Sequence, residues 1–341
     1  MDQPSTSRPL VANAPQGAGS PAGGPPQRLV TRVVLEFLID LLTASTKAHS
    51  GDLKATIVFM AIQHANTEFL EHDPDGLSHF FGGRLDDSLR RPITAHALAQ
   101  SISFSPETCR RYVQKLVDAG YCKRVGARGL IVPSAVMACE PFASSIDSTQ
   151  AAFINMLRSL QVIGFDVRAA AATHRGPADA AVRLRPEPLR FALWTVMTGY
   201  VIRVLLDGVE NHDRDFLRGL IFVTVMALNV EHITYDAGAA WRYACAGTVP
   251  PDEMRTPASV RAVSDRLGAP YETTRQHLMR LVELGRAERV GGGFIIPSLV
   301  NQDPRYMRMG LNIYWWLLRS VSRLERLGFD IDAAVAQRRA G

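Results

Sequence analysis

An internal repeat is the feature of this 341-residue sequence that most constrains its fold. Sliding the chain along itself by 163 to 165 residues aligns two segments that cover nearly everything after the first 27 residues. The densest part of the match pairs residues 107–110 (ETCR) with residues 272–275 (ETTR). Further identical pairs are Asp52 with Asp215, Asn66 with Asn229, Gly120 with Gly285, Pro133 with Pro297 and Gly164 with Gly328. The repeat predicts two related domains, at 28–167 and 189–331.

Three segments outside the repeats are predicted to lack regular structure. Residues 1–27 contain six prolines and four glycines and no apolar core flanked by basic residues, so we expect a disordered arm and not a signal peptide. Residues 168–188 are rich in Ala, Gly, Pro and Arg and show no hydrophobic period, which predicts a linker. Residues 332–341 are predicted to form a tail.

The composition favours a soluble protein with a packed core. Hydrophobic residues make up 47% of the chain and charged residues 21%, which excludes a largely disordered or fibrous protein. The formal charge of +5 mildly favours a polyanionic partner. The four cysteines form no C-x-x-C pair, which favours a reducing compartment and indicates no zinc site. We expect a cytoplasmic, nucleoid-associated protein without a metal or cofactor.

Each repeat is predicted to be mainly α-helical, with wide apolar helix faces that pack on each other or on the other half. Apolar residues recur at helical spacing over 30–42 and, in the second repeat, over 193–205. A second long helix begins near Asp52 in the first repeat and within 213–215 in the second. A final helix is predicted to close each repeat, over about 148–163 and 306–327.

Several side chains on these helices call for an explanation. Arg203 and Arg218 interrupt the two most apolar stretches, which are therefore predicted to be buried helices, with no membrane as a partner. The aromatic run 314–316 is assigned to core packing, with a ligand pocket as the alternative. Duplicated polar residues on an apolar helix need partners, which are either other helices or a bound effector. These residues are Asn66 with Glu68, and Asn229 with Glu231.

The middle of the first repeat predicts two short helices separated by a tight turn. The first covers Thr94 to Ile102, with its apolar residues on one face. After a break at 103–105, Ser105 is a good N-cap for the second helix, and Pro106 suits the first helical position because its missing N–H would have been unpaired. Glu107 favours the positive end of the helix dipole.

The second of these helices has a buried face and a polar face, and a hairpin follows it. Cys109, Val113, Leu116 and Val117 recur at helical spacing and are predicted to face the core, which turns the basic residues between them outward. After Gly120, residues 121–125 and 130–132 read as two strands around a flexible basic tip at 126–129. The predicted fold is mainly α: two tandem winged helix-turn-helix domains with small β-hairpin wings, whose flanking helices form a helical core.

Residues 93–134 resemble the winged helix-turn-helix of GntR-type and MarR-type bacterial transcriptional regulators. The residues that carry the resemblance are the run 105–111 (SPETCRR), Leu116, Gly120 and Arg128-Gly129. The resemblance implies that the Thr and Arg of the Thr-x-Arg step contact the major groove and that the wing approaches the adjacent backbone or minor groove. The flanking helices are similar to the MarR-type plan, in which they build a dimer interface. The duplicated chain would then be a dimer fused into one chain, with a homodimer or a protein partner through these helices as a further expectation.

Fourteen residues are the candidates for contact with double-stranded DNA. Arginine can bond guanine O6 and N7 through its planar fork, and basic residues near the wing can neutralise phosphates. Catalytic and metal-binding residues are not predicted. The candidates in the first repeat are Ser105, Thr108, Arg110, Arg111, Gln114, Lys115, Lys123, Arg124 and Arg128. Those in the second repeat are Thr273, Arg275, Gln276, Arg280 and Arg289.

The two candidate surfaces differ in charge. Residues 105–128 hold six basic and two acidic residues, a net of +4, whereas 270–293 hold four basic and three acidic residues, a net of +1. The second wing, 291–293, consists of glycines and lacks the basic tip. Arg124 and Arg289 have a local alternative, which is pairing with carboxylates such as Asp118 or Glu283. Either the halves contact unequal half-sites, which we favour, or the second half has a structural and protein-contact role.

The sequence therefore predicts a sequence-specific DNA-binding transcriptional regulator with two recognition helices in one chain. It contains no Gly-rich phosphate loop after a strand, no G-x-S-x-G and no H-E-x-x-H motif, so we do not expect an enzyme. One alternative is a DNA-binding protein of replication, partition or chromosome organisation, and another is a protein-interaction module. A two-fold arrangement of the halves predicts an imperfect palindrome, and a direct-repeat arrangement predicts a different geometry; the sequence leaves both open.

Overall fold

The computed structural model describes residues 24–71, 85–173 and 183–336. Within these ranges the chain forms sixteen helices and five short strands, so the predicted mainly α-helical class is confirmed. Residues 1–23 of the predicted arm, 174–182 of the predicted linker and 337–341 of the predicted tail lie outside the described residues.

The same order of elements occurs twice along the chain. The first repeat contains α1 (Gln27–Lys47), α2 (Leu53–Thr67), β1 (Ile93–Thr94), α3 (Ala95–Ser101), α4 (Pro106–Asp118), β2 (Lys123–Val125), β3 (Gly129–Ile131), α5 (Ser134–Met137), α6 (Phe142–Val162) and α7 (Val167–Ala172). The second repeat contains α8 (Pro186–Glu210), α9 (Phe216–Asn229), α10 (Glu231–Thr234), α11 (Ala237–Arg242), α12 (Val260–Leu267), α13 (Tyr271–Glu283), β4 (Glu288–Val290), β5 (Gly293–Ile295), α14 (Ser298–Asn301), α15 (Pro304–Arg326) and α16 (Ile331–Ala336).

A side-chain cap fixes the start of the second long helix in each repeat. Asp52 accepts a hydrogen bond from the backbone N–H of Ala55, and Asp215 accepts one from that of Arg218. A carboxylate at this position pairs an otherwise unpaired N–H of the first turn and suits the positive end of the helix dipole. Both predicted helix starts are therefore confirmed.

The long helices of the two repeats interlock. α1 packs against α6 of its own repeat and also against α9 and α15 of the second repeat. In the same way, α8 packs against α15 of its own repeat and against α2 and α6 of the first. Each of these contacts between the repeats has its reciprocal counterpart, which is what an approximate two-fold axis between two halves produces. The flanking helices consequently form one shared core.

Short helices at the end of each repeat add to the packing between the two repeats. α7 packs on α15, and α16 packs on α6. Arg168 of α7 pairs with Glu325 of α15, with 3.0 Å between Nε and Oε1. Arg158 of α6 donates hydrogen bonds to the backbone carbonyls of Ala334 and Val335 in α16. The predicted linker and tail are therefore wrong in part, because both contain helices that gain their packing from the opposite repeat.

Two helix starts also differ from the prediction. α8 begins at Pro186, inside the predicted linker, where a proline suits the first turn because its missing N–H needs no partner. α6 begins at Phe142 and not near residue 148. The ring of Phe142 stacks on Phe59 with 4.7 Å between the ring centroids. Tertiary packing thus adds a turn that the helical pattern in the sequence did not indicate.

The apolar helix α8 is a core element of this fold. By length and composition it is the one helix in the described part of the chain that could cross a membrane. However, 78% of its most apolar 18-residue window is buried inside the protein. Packing against α2, α6 and α15 accounts for its composition, as expected for a buried helix.

The aromatic run 314–316 belongs to the same core. Tyr314 is 5% exposed, and its ring lies 6.2 Å from that of Phe165 and 4.9 Å from that of Trp315. Trp315 and Trp316 are partly buried against the core. These contacts agree with the predicted role in core packing.

A buried histidine occupies equivalent positions in the two repeats, a feature that the sequence analysis missed. His49 is 7% exposed and packs against the rings of Phe59 and Phe142. Burial lowers the pKa of His49 to about 4, and burial together with nearby arginines lowers the pKa of its counterpart to about 3. Both rings are therefore neutral at pH 7. The counterpart is His212, which packs against Phe222 and Tyr306.

Candidate nucleic-acid interface

Each repeat contains what we term a helix–hairpin unit: α3, α4, β2 and β3 in the first, and α12, α13, β4 and β5 in the second. In the first unit the hydroxyl of Ser105 caps α4 by accepting a hydrogen bond from the N–H of Thr108 at 3.1 Å. Cys109, Val113 and Leu116 are at most 1% exposed. Because these three residues share one face, the opposite face of α4 is turned to solvent.

A small antiparallel sheet completes the first unit. β2 and β3 form the predicted hairpin, with Arg124 opposite Leu130. Gly126 at the tip has a φ of +57°, in the left-handed region that favours glycine. β1 adds a third strand, with Ile93 also opposite Leu130. The sequence analysis missed this strand because two residues are too few to show an alternating pattern.

Two buried asparagines attach the hairpins to the helical core. The side chain of Asn66 donates hydrogen bonds to the carbonyls of Arg91 and Leu130 and accepts one from the N–H of Val132. Asn229 forms the equivalent three bonds in the second repeat, with Thr256, Phe294 and Ile296. The expectation of interhelical hydrogen bonds is therefore wrong, because the partners are backbone groups of the hairpin and of the segment before it. Of the accompanying acids, Glu68 is exposed.

The candidate DNA-binding residues lie at the surface of the two units, apart from two half-buried threonines. Their predicted contact with DNA stays a prediction, since exposure is needed for it but does not demonstrate it. The half-buried residues are Thr108 and Thr273. The exposed residues are Ser105, Arg110, Arg111, Gln114, Lys115, Lys123, Arg124, Arg128, Arg275, Gln276, Arg280 and Arg289.

The Thr-x-Arg arginine of each unit pairs with a glutamate one turn earlier. Arg110 donates to both carboxylate oxygens of Glu107, at 2.8 and 3.1 Å. Arg275 repeats the arrangement with Glu272, at 2.7 and 2.9 Å. All four side chains are largely exposed, so these ion pairs are weak and a phosphate or a base edge can replace the carboxylate.

Two lysines of the first unit pair with acids from outside it. Lys115 Nζ lies 2.6 Å from Asp52 Oδ2, and Lys123 Nζ lies 2.7 Å from Asp87 Oδ2. The net charge of +4 that the sequence gives for 105–128 omits both aspartates. With them, the surface holds six basic and four acidic residues, a net of +2. The surplus positive charge is therefore smaller than the sequence predicts.

A chain of hydrogen bonds links the first hairpin to α4. Arg124 Nη2 donates to Gln114 Oε1 at 3.1 Å, and Gln114 Nε2 donates to Asp118 Oδ1 at 2.7 Å. The alternative of pairing between Arg124 and Asp118 is thus realised only through Gln114. The guanidinium of Arg111 lies 5.1 Å from the ring centroid of Tyr112, within the range of a cation–π contact.

The second unit is built differently at the start of its exposed helix and at the hairpin tip. α13 has no side-chain cap, and Tyr271 is 50% exposed at its first position, where α4 has a proline. Arg280, and not Arg289, pairs with Glu283, at 2.8 Å. At the tip, a Cβ on Gly292 would meet nothing within 4 Å. The second surface therefore has space for contact but little free charge.

A contact between the repeats links the first unit to the start of α9. The ring of Phe104, in the turn before α4, lies 5.3 Å from the ring of Phe216 at the start of α9. α4 contacts the start of α2 through Lys115, and the half-buried His277 of α13 lies 3.7 Å from the carboxylate that caps α9. Both exposed helices therefore lie beside the neighbouring N-terminal ends of α2 and α9.

No family model matches the chain, and comparisons with curated proteins and with solved structures give no match either. The function is therefore inferred from the residues and the geometry of the two helix–hairpin units.

Proposed function

We propose that the protein is a sequence-specific double-stranded DNA-binding transcriptional regulator. Each helix–hairpin unit acts as a winged helix-turn-helix, with α4 and α13 as recognition helices. One observation carries the proposal: both helices begin with a Thr-x-Arg step whose threonine is half-buried and whose arginine is exposed, on the face opposite a buried apolar one. A helix face that is only solvated does not need this step in both repeats, whereas a protein that contacts two DNA half-sites does.

The chemistry of the exposed groups suits some of them to contact with bases and others to contact with phosphates. Arg110 and Arg275 have planar guanidinium groups that can bond guanine in the major groove once they leave their glutamates. Ser105 and the N-terminal end of α4 suit a phosphate, because the positive end of the helix dipole attracts an anion. Lys123 at the start of β2 and Arg128 at the tip of the first hairpin can neutralise further phosphates.

The approximate two-fold relation between the repeats favours an imperfect palindrome over a direct repeat as the target. Half-sites would be centred about 10 bp apart or a multiple of this. The first unit has the larger positive charge and a basic tip, so it would contribute more of the affinity. The target would then consist of two unequal half-sites.

A salt series tests the proposal. Fluorescence anisotropy of a labelled 30-bp duplex (about three helical turns) is measured for the wild type and for the double variant Arg110→Ala/Arg111→Ala. We expect the wild type to bind. The variant should lose at least about tenfold in affinity and show a shallower slope of log K against log salt. The double variant Arg305→Ala/Arg308→Ala, exposed arginines of α15, is the control with the same change in charge.

Either of two results would count against DNA binding: no association of the wild type at low salt, or equal losses in the test and control variants. Binding confined to an origin or partition site in a genome-wide occupancy experiment would instead favour the replication or partition role.

A further inference from the structure

A cavity of about 70 Å³, partly open to solvent, lies where α1 meets the second repeat. The walls are the first turns of α1, the C-terminal end of α9, the loop after α11 and the start of α15. The residues of interest among those lining it are Arg28, Arg32, Met226, Arg255, Tyr306 and Met309.

Arg28, Arg32 and Arg255 donate hydrogen bonds to backbone carbonyls, and some of their N–H groups remain without an acceptor in the described part of the chain. Arg28 donates to the carbonyls of Ala246 and Asn301, at 2.9 and 2.8 Å. Arg32, only 8% exposed, donates through its two Nη atoms to carbonyls at the C-terminal end of α11. Its Nε is buried and has no hydrogen-bond partner among the described residues. A buried donor without an acceptor is costly, so this Nε calls for a partner.

The cavity also has an excess of positive charge. None of the described residues that line it is acidic. Arg255 pairs with Asp252, with 3.1 Å between Nε and Oδ1, which leaves Arg28 and Arg32 with carbonyl dipoles only. Burial, and then the neighbouring arginine, lowers the pKa of Arg28 and of Arg32 to about 10, so both remain charged at pH 7. Buried charges of one sign are strongly unfavourable without a counter-charge.

The counterpart region, where α8 meets the first repeat, supplies an internal comparison. In the alignment of α1 with α8, Phe191 and Thr195 of α8 stand at the positions of Arg28 and Arg32. Arg90, the counterpart of Arg255, donates to the side chain of Gln63 at 3.0 Å. Arg90 is buried like Arg255, but shared ancestry of the repeats does not require arginines at the positions of Arg28 and Arg32. They distinguish one half of the molecule, as a site for a ligand would.

We propose that this cavity is a binding site for a small organic anion, namely a monocarboxylate with an apolar body. The carboxylate accepts hydrogen bonds from the free donor capacity of Arg28 and balances the positive charge of Arg32. The apolar body lies against Met226, Met309 and Tyr306. This site is independent of the proposed DNA-binding function.

Isothermal titration calorimetry of the full chain tests the site, with benzoate and hexanoate as probes. Benzamide has nearly the shape of benzoate but no charge, and inorganic phosphate has charge but no apolar body. We expect saturable binding of at least one carboxylate by the wild type, and at least about tenfold weaker binding of benzamide and of phosphate. Arg32→Met, which keeps the length and removes the charge, should weaken carboxylate binding by at least about tenfold.

The matched control is Arg190→Met, an arginine in the first turn of α8 that lies outside the cavity and donates to the carbonyl of Ala143. It should bind the carboxylate like the wild type. If Arg32→Met does not fold, as judged by its thermal unfolding, Arg28→Met takes its place. The proposal is overturned if neither carboxylate binds the wild type, if benzamide or phosphate binds as tightly, or if the cavity variant and the control bind equally.

Discussion

At the scale of single residues, the buried histidines have a consequence for stability that can be worked out with its sign. The pKa of His49 is about 4 in the folded protein, against about 6.5 in an unfolded chain. Between these values the unfolded chain binds a proton that the folded protein excludes. The neutral ring therefore contributes stability that is complete above pH 6.5 and is lost as the pH falls towards 4.

We expect His49→Phe, which keeps an aromatic ring against Phe59 and Phe142, to flatten this dependence. Between pH 7 and pH 5 the wild type should lose about 2 kcal/mol more unfolding free energy than the variant, since each pKa unit corresponds to about 1.4 kcal/mol. Urea unfolding at the two pH values measures the difference. His96→Phe, at an exposed position, is the control. An unchanged dependence in His49→Phe would show that the folded protein binds this proton as readily as the unfolded chain, so that burial does not lower the pKa of His49.

Individual residues also show which contacts could be predicted from the sequence and which could not. The burial of Cys109 and the cap at Ser105 were predictable, because helical spacing and N-cap preferences act within a few residues. The need of Asn66 for partners was predictable as well, but their identity was not. The carbonyl of Leu130 is 64 residues away along the chain, and only the folded arrangement brings it to the amide.

At the scale of elements, the two hairpins differ in a way that a single substitution can reverse. Gly292 at the second tip has open space around it and no left-handed backbone angle, so Gly292→Arg is tolerated sterically and restores a basic tip. We expect the slope of log K against log salt for duplex binding to become steeper by about 0.9, and the affinity at low salt to rise. Gly292→Gln, similar in length but uncharged, is the control. Equal binding by both variants would place the second hairpin away from the DNA.

Elements with local signals were predicted well, and elements that depend on the other repeat were not. α4 and the β2–β3 hairpin agree with the sequence analysis because caps, glycines and short-range patterns specify them. α7 and α16 fall in the segments predicted as linker and tail. Both are only six residues long, and they pack on helices of the opposite repeat. Short helices of this kind are stabilised mainly by packing, which a local pattern does not reveal.

At the scale of the whole molecule, the interlocked core determines how the two candidate recognition helices are presented. α1 and α8 each cross to the other repeat, so the units are fixed on a common scaffold and cannot separate without unpacking it. The sequence left open whether the halves form a two-fold or a direct repeat, because the repeat alone contains no information on relative orientation. The reciprocal helix contacts in the structure favour the two-fold arrangement.

The most direct test of this account is a hydroxyl-radical footprint on a duplex selected from random DNA by the wild-type protein. We predict that one chain per duplex protects two regions, centred about 10 bp or a multiple of this apart. Arg275→Ala should remove protection from one region only, and Arg110→Ala should weaken the whole footprint, because the first unit contributes more of the affinity. A single protected region that is unaffected by Arg275→Ala, or the absence of any selected sequence, would contradict the account.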